Sequence, residues 1–301
     1  MQHFRFPFRA MACENTIELF AHAFEHAESV ANAAIDEVRR IEQKYSRYRK
    51  DSVLTGINRA SRHATSAAWT EIDAETSQLL DFADSCFQQS SGLFDITTGV
   101  LRRVWDFKLG HLPSKQAIEE LMPLVGWQHV KRRLNAIQLT RSGMEIDFGG
   151  FGKEYAADRA AAVLLASGVT HGFVDLGGDV VVTGPQFGGA PWTLGIRHPR
   201  QRDTVLETVE IASGAVATSG DYERFMEIDG VRYCHILDPR SGQPAIGLQS
   251  VTVFAPSCMV AGAITTIAML KGNHGSGWLA NVLTDGLRGL VVDQLGCVCR
   301  Y

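Results

Sequence analysis

The sequence predicts an α+β fold, and three observations carry that expectation. Apolar residues recur at helical spacing in the first third of the chain. Short runs rich in β-branched residues, bounded by turn formers, crowd the middle. The two kinds of segment are mixed without the regular alternation of a βαβ chain. With 301 residues the chain can bury a sizeable core in one large domain or two intimate lobes.

Ala27, Val30, Ala34, Val38, Ile41 and Tyr45 fall on one face of a helix over 24–46, with charged residues between them. A second helix fits 74–90, with Leu79, Leu80, Ala83 and Phe87 inward and Gly92 beyond its end. A short helix over 114–125 stops near Gly126. A strand is expected over 144–148, entering Gly149-Gly150-Phe151-Gly152, with a helix over 153–167 behind it. Residues 173–176, the pair Gly177-Gly178 and residues 180–182 read as strand, tight turn, strand. Further strands are expected over 193–197, 204–211, 216–218, 232–237 and 250–255. Helices over 257–271 and 275–284 precede a last strand over 287–292, and 183–205 is the candidate excursion between two lobes.

The net charge of −4 offers no basic face for nucleic acid. The run Lys131-Arg132-Arg133 is short enough to be a solvated face. Six cysteines include no CxxC pair, so the chain reads as carrying reduced thiols in the cytoplasm. Ala10-Met11-Ala12-Cys13 faintly resembles a lipoprotein cleavage site, but Arg5 and Arg9 interrupt the stretch before it and no signal peptide is expected in this chain. No apolar run approaches the roughly 20 residues of a membrane span. The stretch Asp147 to Lys153 fails as a phosphate-binding GxxxxGK[ST] loop, because Asp147 stands at its first glycine and Glu154 at its hydroxyl position. GxGxxG, GxSxG and HExxH are absent from the sequence.

Several separated motifs remain. They are Ser46-Arg47-Tyr48 with Asp51-Ser52 and Asn58; Ser91-Gly92-Leu93-Phe94-Asp95-Ile96-Thr97; and Asp147-Phe148-Gly149-Gly150-Phe151-Gly152-Lys153-Glu154-Tyr155 with Asp158. Asp175-Leu176-Gly177-Gly178-Asp179, Ala217-Thr218-Ser219-Gly220-Asp221-Tyr222 and His235-Ile236-Leu237-Asp238-Pro239-Arg240-Ser241-Gly242-Gln243-Pro244 complete the set. In this order, and over most of the chain, they resemble the ApbE family of FAD:protein FMN transferases.

The resemblance implies an FAD cleft between two α+β lobes and Mg²⁺ on the pyrophosphate. It also implies a partner, an acceptor protein with a Ser/Thr flavinylation motif, whose hydroxyl takes FMN from FAD as AMP leaves. By motif position, Met11 would line the flavin entrance and Tyr48 would face the isoalloxazine ring. Leu93, Phe94 and Asp95 would hold the nucleotide, and Asp147 would accept a ligand hydrogen bond. Lys153 would approach the phosphates, Leu237 would give apolar contact, and His235 would handle a proton. Simpler roles stand beside these: Tyr48 and Phe94 as packing aromatics, Asp95 as a cap, Asp147 as a turn acceptor, Lys153 as a solvated helix-start residue and His235 as a structural strand residue.

The chain departs from the family pattern at one implied metal ligand. Met259-Val260-Ala261-Gly262-Ala263-Ile264-Thr265-Thr266 matches A-D-A-x-[ST]-T with glycine in place of the aspartate. Thr266 and the Gly150 carbonyl remain from the implied ligand set. Asp179, Asp221 or Asp285 could restore a carboxylate, or the cation could rest on pyrophosphate and water. Otherwise the chain binds FAD without transfer, or hydrolyses it as a pyrophosphatase. If the missing carboxylate is a defect, Gly262→Asp should raise metal-dependent turnover. Two further departures are Ala12-Cys13 in place of Gly-Thr, and Glu154 in place of a glycine after Lys153.

Overall fold

The computed structural model describes residues 1–63, 69–201, 203–284 and 286–301. Its centre is an eight-stranded sheet with every neighbouring pair antiparallel. The strands are β1 (Gln2–Ala10), β2 (Cys13–Ala21), β3 (Gly172–Leu176), β4 (Asp179–Gly184), β5 (Gly214–Gly220), β6 (Leu248–Ala255), β7 (Arg288–Asp293) and β8 (Val298–Arg300). They lie side by side in chain order, so the sheet is a meander interrupted by long insertions. The longest, between β2 and β3, holds α1 (Phe24–Tyr45), α2 (Val53–His63), α3 (Ala74–Gln89), α4 (Lys115–Leu121) and α5 (Gly152–Ala166). Between β6 and β7 come α6 (Cys258–Leu270) and α7 (Gly275–Val282).

One face of the sheet is covered by α1, α5 and α6. The set Ala27, Val30, Ala34, Val38, Ile41 and Tyr45 is buried as its spacing predicts. The alanines of α5 at 156, 157, 160 and 161 let α1 and α6 approach closely. The other face is covered by a hairpin, Trp192–Arg197 with Val205–Ile211, which Trp192 pins by an edge-on contact with Phe173 at 4.8 Å. The segment 183–205 therefore leaves the sheet at the end of β4 and returns as the first strand of this lid.

Four of the differences between sequence expectation and structure have a plain physical account or bear on the site. The β1–β2 hairpin is the first: Phe4, Phe6 and Phe8 alternate with Arg5, Pro7 and Arg9, and Pro7 is tolerated because β1 is an edge strand. The second is α2, which no expected helix covered. The third is 144–148, which forms no strand. The side-chain amide of Asn58 stands in for a partner strand, accepting from Ile146 N–H at 2.8 Å and donating to Ile146 C=O at 2.9 Å. The fourth is 232–237, where the strand ends at Cys234, so His235 lies just past its end. Among the described residues no helix is long and apolar enough to cross a membrane.

Candidate functional site

Two tight turns meet at one end of the sheet. Ala10 pairs with Cys13 and Leu176 with Asp179, leaving two-residue loops at Met11-Ala12 and Gly177-Gly178. All four loop residues have positive φ, the geometry that suits the twist of a hairpin. Met11 N–H donates to Glu42 Oε1 at 2.8 Å, which ties the first turn to α1. The second turn lies against Cys13: a Cβ on Gly177 would come within 3.0 Å of the Cys13 Sγ and 3.8 Å of the Lys153 Nζ.

Lys153, in the first turn of α5, reaches this place and pairs with Asp179 at 2.6 Å. Burial disfavours its ammonium, but the Asp179 carboxylate outweighs that, and the lysine stays charged well above its ordinary range. His235 lies within electrostatic reach of Lys153 and Arg47. Its ring is open to solvent by surface area although protein packs round it. That packing, then Arg224, Arg47 and Lys153, pushes the imidazole down to about 4. A neutral ring with Nδ1 3.2 Å from the Arg224 carbonyl donates there and leaves Nε2 as a free acceptor.

Asp147 is held from three sides. It pairs with Arg47, its Oδ1 accepts from Gly149 N–H at 3.0 Å, and its own N–H donates to Ile96 C=O at 2.9 Å. Arg47 also donates to the Tyr48 hydroxyl at 3.0 Å and sits over its ring. Tyr48 is 75% exposed, with the Arg47 guanidinium over one face of its ring. Phe94 and Leu93 are buried, and the Phe94 ring lies where a side chain on Gly150 would go. Asp95 is committed within the fold. Its Oδ1 accepts from Thr97 N–H and hydroxyl at 2.8 and 2.6 Å, and its Oδ2 from Trp127 N–H at 2.9 Å. It caps a 3₁₀ helix, Ile96–Arg103. Leu237 packs against the apolar cluster that contains Trp105 and Met226.

Around α6 the structure assembles hydroxyls and a carboxylate. The Ser219 hydroxyl lies 2.9 Å from that of Thr265 and 3.2 Å from that of Thr266. Against Gly262 lies Glu154. A Cβ on Gly262 would be 2.7 Å from the Glu154 Cγ and 3.0 Å from its Oε1. Glu154 is buried, and its Oε2 has no hydrogen-bond partner. Burial makes its carboxyl a weaker acid, and the nearby Asp179 weakens it further. Of the three carboxylates that could replace the absent one, Asp179 is close by, Asp221 is engaged by Arg200 in two bonds of 2.6 Å, and Asp285 lies outside the described residues. Among the described residues, no three His, Cys, Asp or Glu side chains form a ready metal cluster.

A family model described as the ApbE family matches residues 11–291. The chain belongs to the ApbE family. An FAD:protein FMN transferase of Treponema pallidum is 31% identical over 270 residues, covering 81% of this chain and 73% of that protein. Another, from Vibrio cholerae, is 30% identical over 240 residues, covering 78% and 71%. The crystal structure of an ApbE protein from Thermotoga maritima matches with a TM-score of 0.88 at 34% identity, over 100% of this chain and 97% of that one.

Within this ApbE chain, sequence reasoning missed Glu154 and Ser219 as site groups and gave Arg47 and Arg224 no role. Ser219 and Arg47 sit inside quoted motifs, so position alone could have raised them. Glu154 stood out as a departure, and Gly262 as another. Nothing in their spacing of more than 100 positions shows that the two side chains share one space.

Proposed function

We propose that this protein transfers FMN from FAD to a Ser/Thr hydroxyl of an acceptor protein, releasing AMP. The observation that supports the reading is the closeness of Lys153, His235 and the Arg47–Asp147 pair, near enough for their charges to act on the His235 ring, in a chain of the ApbE family. Lys153 presents a permanent positive charge to the phosphates. Tyr48 offers an exposed ring for the isoalloxazine to stack on, and Met11 borders the same end of the sheet. The acceptor oxygen forms a bond to the FMN-side phosphorus, the bond from that phosphorus to the bridging oxygen breaks, and AMP departs with it. The hydroxyl proton goes to His235 Nε2, which the packing round it keeps neutral. A divalent cation such as Mg²⁺ would neutralise charge on the phosphoryl oxygens, with Thr266 and the Gly150 carbonyl as the ligands that the family resemblance implies for it. The orphaned Glu154 oxygen, on a side chain packed against Gly262, and the linked hydroxyls of Ser219, Thr265 and Thr266 are oxygen ligands of the kind such a hard cation takes.

The test uses flavin-stripped protein with FAD, Mg²⁺ and a peptide carrying the acceptor motif, with products separated by chromatography. AMP together with flavinylated peptide is the expected result. AMP and free FMN in equal amounts, with the peptide unmodified, would mean a pyrophosphatase. Intact FAD co-eluting with the protein would mean binding without transfer. His235→Gln should retain FAD binding and slow transfer by roughly 100-fold or more.

A further inference from the structure

Gly262 occupies the interior of α6, where glycine weakens a helix. It sits there because another side chain fills its space. The Glu154 Cγ lies 2.7 Å from where a Cβ would stand, which no real side chain tolerates. The two positions are therefore steric alternatives. A carboxylate can reach this place from α6 or from α5, but not from both.

The carboxylate that is present is otherwise unexplained. Glu154 is 9% exposed and its Oε2 meets no donor. The nearest ammonium, that of Lys153, is committed to Asp179 at 2.6 Å. Glu154 also faces the Asp179 carboxyl, and two buried acidic groups side by side form a natural seat for a cation. The groups nearby are oxygen donors: Ser219, Thr265 and Thr266, linked hydroxyl to hydroxyl at 2.9 and 3.2 Å, and Asp179. Carboxylate and hydroxyl oxygens without a soft ligand suit a hard divalent cation. Cys258 is close, but its thiol is held protonated, its acidity pushed far down by burial and by Asp179 and Glu154.

We propose that Glu154 supplies the carboxylate of a divalent-cation site shared with Thr266, reaching from α5 into the space that Gly262 leaves open. The ligand has moved to the facing helix, and the glycine after Lys153 and the aspartate of α6 have been exchanged together. This rests on the flavin-transferase reading, since ligand phosphates complete the shell. It also reverses the expectation for Gly262→Asp. Alone, that change drives two carboxylates into one space and weakens the site.

Mn²⁺ is the probe. Free Mn²⁺ is followed by electron paramagnetic resonance during titration of FAD-loaded protein, FAD binding is read separately from flavin fluorescence, and circular dichroism checks folding. Glu154→Gln should weaken Mn²⁺ binding by roughly tenfold or more with FAD retained. Glu154→Gly should do the same, and adding Gly262→Asp to Glu154→Gly should restore binding toward the parent. Parental Mn²⁺ affinity in Glu154→Gln overturns the proposal. So does a folded double variant that binds no better than Glu154→Gly alone. A parent that binds FAD but no Mn²⁺ overturns the cation site and leaves the flavin reading standing. A parent that binds no FAD overturns the flavin reading itself.

Discussion

Glu154 and Gly262 form a pair whose substitutions should not add. Gly262→Ala gains about 1 kcal/mol of helix propensity, but its Cβ falls 2.7 Å from the Glu154 Cγ. The overlap should win, so the single change lowers the melting temperature. With Glu154→Ala already made, the same change should raise it, and a thermal double-mutant cycle reads the sign inversion. Equal effects in both backgrounds would show that the two side chains do not share the space. A second residue-scale case is the Met11-Ala12 turn, where φ is +56° and +62° without glycine. The left-handed region costs a β-carbon roughly 1–2 kcal/mol, and glycine loses about 0.5–1 kcal/mol of that advantage to chain entropy. Ala12→Gly should therefore stabilise modestly, seen as a higher urea midpoint at unchanged slope. At this scale the sequence shows which residue types are unusual. It does not show that two oddities, one on each of two helices, cancel each other, because that depends on how the helices pack.

Helices α5 and α6 are joined by a cap that crosses between them. The Asp158 carboxylate, on α5, accepts from Cys258 N–H at 2.8 Å and Met259 N–H at 3.0 Å, two donors that open α6. Burial pushes its pKa up against the pull of those bonds, yet an anion at a helix N-terminus is favourable. Asp158→Ala should cost about 1–2 kcal/mol, the range of a lost cap. It should also loosen Thr266, which α6 carries, so Mn²⁺ affinity should fall along with the thermal midpoint. A stability loss with parental Mn²⁺ affinity would mean that the cap acts on the fold alone. Most elements were legible where one chain segment carries its own period. The buried face of α1 was read residue by residue, and the glycine pair 177–178 placed the β3–β4 turn. The failure at 144–148 has a physical reason. An apolar run looks like a strand whether its polar backbone groups meet another strand or a side chain, and here the partner is Asn58.

Across the whole molecule, the sheet meander makes neighbours of strands far apart in the chain, as with β2 and β3, whose pairing Asn15 to Leu176 sets the two site turns side by side. No local pattern reports that. The family motifs do, because their order and spacing stand for a known arrangement. The helical layer is fastened over this sheet by a charged network that links three helices. Glu75 of α3 receives Arg40 Nη2 at 2.6 Å and Lys44 Nζ at 2.5 Å from α1, and the Tyr155 hydroxyl at 2.7 Å from α5. The Arg40 bonds above all, then Lys44 and Tyr155, hold the Glu75 carboxyl far below its ordinary value against a partial burial penalty. A carboxyl with a depressed folded-state value binds its proton more readily when the chain is unfolded. Its contribution is therefore present above the unfolded value of roughly 4.3, and it is lost progressively as pH falls from there toward the folded value. The pairs are partly exposed, so solvent screening keeps the contribution modest. Glu75→Gln should lower the melting temperature near neutral pH, and the gap to the parent should close as the pH drops below about 4. Melting curves of the two proteins from neutrality down to strongly acidic buffer measure the gap directly. A gap that stays constant with pH would assign the loss to packing, and the network would then be a fastening that owes nothing to its charge.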